Sequence, residues 1–93
     1  MFTIRLCGIE ITRLWIARRV RDAILSLDVK ITDYLKRCNM YRDYWGSGDR
    51  YVEMSEIVGE LKFMYLSGVL RPVEYRKILG RVTGQIIDEN VRR

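Results

Sequence analysis

A chain of 93 residues fits one domain, and a domain this short buries only about two-thirds of the surface its unfolded form exposes, so self-association is the expected supplement to its core. With 48% hydrophobic and 31% charged residues the composition is that of a globular protein and excludes an intrinsically disordered chain. The net charge of +5 rests on thirteen arginines and only four lysines, a choice that favours fixed ion pairs and phosphate contacts over loosely solvated charge.

Residues 2 to 7 alternate, with Phe2, Ile4 and Leu6 on one side and Thr3, Arg5 and Cys7 on the other, until Gly8 breaks the pattern. Residues 1–12 therefore read as a short strand or an arm. A lone strand in a helical chain needs a partner, which a second subunit would supply.

Thr12 is a plausible N-cap, with Ile11 and Ile16 placed for a hydrophobic staple, so a long helix is predicted over residues 13–42, roughly 45 Å at 1.5 Å per residue. Along it Ala17, Val20, Ile24, Leu27, Ile31, Tyr34, Cys38, Tyr41 and Trp45 keep a three-then-four spacing, the mark of a heptad seam. Such a rod is long for a small domain to cover, and the residues from Ala17 to Cys38 are the expected oligomer interface.

"WGSGD", residues 45–49, marks a loop, and Asp49 is placed to cap the helix predicted over 50–66. That helix turns Met54, Ile57, Val58, Leu61, Met64 and Tyr65 inward and carries Glu53, Glu56 and Glu60 on another face. Gly68 stops it, and Pro72 opens a third helix over 72–91. This last helix has Tyr75, Ile78, Leu79, Val82, Ile86, Ile87 and Val91 inside. The expected fold is all-α: a long N-terminal helix plus a C-terminal helical hairpin, bundle or coiled-coil-like, with a possible N-terminal strand or arm.

Residues 13–21 hold Arg13, Arg18, Arg19 and Arg21 and no acid, and are the leading candidate for a phosphate-binding patch, with Arg76, Lys77 and Arg81 of the third helix as a second group. The competing reading pairs those arginines with Glu53, Glu56 and Glu60. Register argues against a helix-turn-helix assignment for residues 60–79, which would put Glu74 and Lys77 at positions expected to be buried. In "GRVTG", Gly80 and Gly84 stand one turn apart, where each costs about 1 kcal/mol relative to alanine unless a close neighbour compensates. Both join the expected interface.

"LKFMYLSGVLRPVEYRKIL" is a leucine-rich helix, a Gly-Val-Leu turn, the pair Glu74–Tyr75 and a second leucine-rich helix. Residues 60–79 resemble the SHOCT short helical hairpin, in which Glu-Phe or Glu-Tyr tends to occupy that place. The resemblance covers under a third of the chain and implies oligomerisation and, less directly, nucleic-acid contact.

With no histidine and only Cys7 and Cys38, a zinc site is not expected, nor any cofactor. No phosphate-cradling glycine loop or nucleophile elbow occurs, so the chain reads as no enzyme. "MFTIRLCGIEIT" does not resemble a signal peptide, no apolar run reaches a membrane span, and two lone cysteines fit a cytoplasm. Scarce asparagine and glutamine resemble thermophile composition, which gives the arginine excess a second explanation. The sequence thus points to an oligomerising helical module that binds nucleic acid or a nucleoprotein. Its rival is a protein-directed adaptor, inhibitor or assembly subunit of the kind viruses and mobile elements supply.

Overall fold

The structure is a computed structural model describing residues 1–41, 43–44 and 47–91, with the side chains of 84–91 excepted. It contains two antiparallel strands, β1 (Phe2–Leu6) and β2 (Ile9–Arg13), and three helices, α1 (Arg18–Met40), α2 (Gly48–Leu66) and α3 (Pro72–Val91). The chain is mostly helical, and the strand predicted at the N-terminus has its partner in the same chain. The alternation resumes after Gly8, so that Ile4 pairs with Ile11 and Leu6 with Ile9 on the buried face. Thr3 with Thr12 and Arg5 with Glu10 face outward, each pair in side-chain contact at 3.3 Å. Cys7 and Gly8 make the turn with φ of 53° and 77°, the doubly left-handed conformation of a two-residue hairpin. Cys7 is an unusual occupant. Both of its backbone groups are held: Asp28 accepts from its N–H at 2.8 Å, and Arg81 donates to its carbonyl at 2.7 Å.

This pairing corrects the predicted long helix. Thr12 is no N-cap, because it lies in the sheet opposite Thr3, and α1 starts only at Arg18 and ends at Met40. At about 34 Å the helix is short enough for the rest of the chain to cover. β1 and α2 pack against it, and Ile24, Leu27, Ile31, Tyr34 and Cys38 are buried within the single chain. The seam is therefore the monomer's core, not a surface open to another copy. Ala17 is the N-cap and Val20 is half-buried; Tyr41 is exposed, and Trp45 falls outside the described residues.

Ser47, not Asp49, caps α2 by accepting from the Arg50 N–H at 3.2 Å. Of the predicted inner face Ile57, Leu61 and Met64 are buried, and Met54, Val58 and Tyr65 half-buried. The helix ends in a Schellman arrangement: Val69 N–H reaches the Met64 carbonyl and Gly68 N–H the Tyr65 carbonyl, with Gly68 at φ 83°. Pro72 then opens α3, and the Tyr65 and Tyr75 rings stack at 4.6 Å across the hairpin. Ile78 and Val82 are buried and Leu79 is half-buried. Ile86, Ile87 and Val91 have side chains outside the described residues. α2 packs against both α1 and α3, while β2 reaches α3, so the core lies between hairpin and helices.

Within the chain nothing presses on Gly80 of "GRVTG": an added Cβ would meet nothing within 4 Å, so α1 is not its close neighbour. Gly84 lies outside the described side chains. Gly80→Ala should therefore stabilise the protein by up to about 1 kcal/mol and raise Tm by roughly 4–8 °C. Gly8→Ala should lower Tm, because its φ is unfavourable for a side chain and the new methyl would collide with the Arg81 guanidinium. Thermal melts followed by circular dichroism check both signs.

Candidate nucleic-acid interface

The seven predicted phosphate contacts separate by what surrounds them. Arg13, the last residue of β2, points inward: it donates through both terminal nitrogens to Glu74 at 3.1 and 2.5 Å and also to the carbonyls of Thr12 and Val69. Glu74 is buried and accepts in addition from the Arg71 N–H at 2.8 Å, reaching back from the third position of α3 to its N-cap as in half a capping box. Burial opposes its ionisation, yet the Arg13 guanidinium and the Arg71 amide outweigh that and hold the carboxyl below its ordinary value. Arg13 is thus a structural residue. So is Arg81, which caps the Cys7 turn at the far end of the hairpin.

Glu53, Glu56 and Glu60 of α2 have other partners than the arginines of residues 13–21. Glu56 and Glu60 share Lys30 at 3.5 and 3.7 Å, and Glu53 takes Arg37 at 2.6 Å together with the Tyr44 hydroxyl. Burial opposes ionisation of Glu53 as well, and Arg37 and Tyr44 overcome it, so its carboxyl also lies low. Arg18, Arg19 and Arg21 are left without an acid. Among the described residues none of the three forms an ion pair, and Asp22, one turn beyond Arg18, makes none with it.

These three arginines surround the start of α1, where Ala17 supplies no side-chain cap and the first turn contains no acid. Arg21 N–H begins the helical ladder by donating to the Ala17 carbonyl, and the amides before it point outward uncapped. Positive side chains on the positive end of a helix dipole are an arrangement that an anion stabilises. Just upstream, Leu14 and Trp15 are 84% and 75% exposed in the link from β2. Trp15 was not singled out by the sequence pattern; the one available signal is that it belongs neither to the strand alternation nor to the heptad stripe. On α3, Lys77 is exposed and Arg76 curls back to the Pro72 carbonyl at 3.5 Å. They lie apart from the α1 cluster on a different element.

The remaining polar chemistry is structural in character. Burial pushes the Cys7 thiol up against the influence of Arg81, and burial followed by Cys38 pushes the Tyr34 phenol up to about 12. Neither supplies a nucleophile at neutral pH. Among the described residues no three His, Cys, Asp or Glu side chains cluster to hold a metal ion, and no helix is long and apolar enough to cross a membrane. Comparison with protein families, curated proteins and solved structures returns no match for this chain.

Removing one partner of the Arg13–Glu74 pair leaves the other charge buried, so Arg13→Ala should cost about 3–5 kcal/mol. Because the Glu74 carboxyl is depressed in the folded state, its contribution is present above the ordinary value of 4.5 and is lost as pH falls through the lowered one. Urea midpoints at pH 7 and pH 3 should accordingly show a smaller acid-induced loss in Glu74→Gln than in the unaltered protein.

Proposed function

We propose that the protein is a non-enzymatic, oligomerising helical module that holds nucleic acid, or a nucleoprotein, by its phosphate backbone at the start of α1. The observation that carries this reading is the triplet Arg18, Arg19 and Arg21 around an uncapped helix N-terminus, with Glu53, Glu56 and Glu60 of α2 engaged elsewhere. The exposed indole of Trp15 beside it offers a stacking face for an unpaired base. Nothing in the cluster resembles a set of base-edge readers, so the reading is one of backbone contact with little sequence preference. The resemblance of residues 60–79 to the SHOCT hairpin supports the oligomerising half. Cys7 and Cys38, both buried and in no disulfide, suit a reducing cytoplasm. The rival, a protein-directed adaptor, inhibitor or assembly subunit, draws on the exposed apolar residues Phe63 and Leu66 of α2.

Fluorescence anisotropy with labelled single-stranded and duplex oligonucleotides tests the proposal. Binding should fall as salt rises, with a slope of log K against log salt of roughly −0.7 to −0.9 per phosphate neutralised. Replacing Arg18 and Arg21 by glutamate should abolish most of it without unfolding the protein, since acids in the first turn of a helix add roughly 0.3–1 kcal/mol of stability. No binding by the unaltered chain at low salt would sink the nucleic-acid reading and leave the adaptor.

A further inference from the structure

The crossing of α1 and α2 leaves a groove on the surface. Two hollows of about 770 and 510 Å³ lie end to end along it and share Ala23, Phe63 and Met64. Where the floor is bare it is made of the exposed small residues Ala23, Ser26 and Gly59, and a Cβ placed at Gly59 would meet nothing within 4 Å. Beside this floor Phe63 stands out 73% exposed. A protruding aromatic next to a hollow on the same surface is the pattern of a knob and its socket.

The groove is also polar in its charges. At one end Arg19 has no acid; at the other, Glu56 and Glu60 share the single Lys30, leaving one negative charge in excess. Arg19 and Lys30 are separated by about 16 Å along α1. A two-fold axis across the middle of the groove, near Ala23 and Phe63, exchanges these ends. Each Arg19 then faces the Glu56–Glu60 end of the other copy, and the two Phe63 rings meet beside the axis, each over the bare Ala23 floor of the other copy. Self-complementarity under such an axis is what a symmetric dimer interface requires.

We infer that this groove is the docking site for a second copy of the chain, with Phe63 as the anchor and Arg19 against Glu56 and Glu60 as the orienting contact. The inference deepens the oligomerising half of the proposed function and takes Arg19 out of the phosphate-binding triplet, leaving Arg18 and Arg21 to the nucleic acid. It also moves self-association from the heptad seam, which the monomer buries, to the adjoining flank of the same helix.

Sedimentation of nuclease-treated protein tests it. The unaltered chain should be dimeric at tens of micromolar. Phe63→Glu should raise the dimer dissociation constant roughly thirtyfold or more while leaving the helical circular dichroism of the chain unchanged, because Phe63 lies outside the core. Arg19→Glu and Glu60→Arg should each weaken the dimer, whereas mixing the two variants, or combining them in one chain, should restore it by re-forming opposite-charge pairs. Arg18→Glu, which weakens only nucleic-acid binding, should leave the dimer intact. A chain that stays monomeric from about 10 to 500 μM overturns the inference and gives the groove to a different protein. An unchanged dimer in Phe63→Glu, or charge variants that do not rescue each other, overturns it equally.

Discussion

The ion pair between Arg13 and Glu74 closes the fold. It joins the last residue of the hairpin to the first turn of α3, and the same guanidinium ties down the Val69 carbonyl in the link between α2 and α3. The same carboxylate caps α3 through the Arg71 N–H. A hairpin alone is marginally stable in water, and here it gains stability from burial of Ile4, Leu6 and Ile11 and from clamps at both ends, Arg13 at the open end and Arg81 at the turn. Two arginines that in sequence look like members of a basic patch thus become parts of the frame.

That division leaves the surface charge unevenly distributed. Lys30 and Arg37 answer Glu53, Glu56 and Glu60 of α2 along the middle and end of α1, whereas the arginines at its start have no ion pair. There the dipole and three arginines add with the same sign, an arrangement opposed to helix stability and therefore explained more easily by a ligand than by folding. The stability and the proposed function of this end pull in different directions.

Local chemistry was legible where a glycine or a proline decides it. Gly68 and Pro72 delimit the α-hairpin as read, and the inner face of α3 follows its period as far as Val82. The hairpin turn was not, because Cys-Gly is not among the pairs that signal one, and Cys7 holds its left-handed backbone only through Asp28 and Arg81, distant in sequence. Thr12 satisfied the rules for a helix cap and for a strand equally, and pairing with Thr3 decided between them. The heptad spacing correctly marked the buried face of α1 from Ile24 to Cys38, but periodicity reports that a face is covered, not by what. Arg13 belongs by sequence to a basic patch, since its partner Glu74 lies 61 residues on, beyond any local pattern.

The distance between those two residues also sets a clock. The hairpin can form within about 1–10 μs of its synthesis. Glu74, which clamps it, is added 61 residues after Arg13, roughly 3–12 s later at typical rates of translation. Until α2 and α3 exist, the stripe from Ile24 to Cys38 has only the hairpin to lie against. The growing chain therefore passes through an interval in which its apolar rod is available to chaperones and to neighbouring nascent chains, and the ion pair that ends the interval is among the last contacts to become possible.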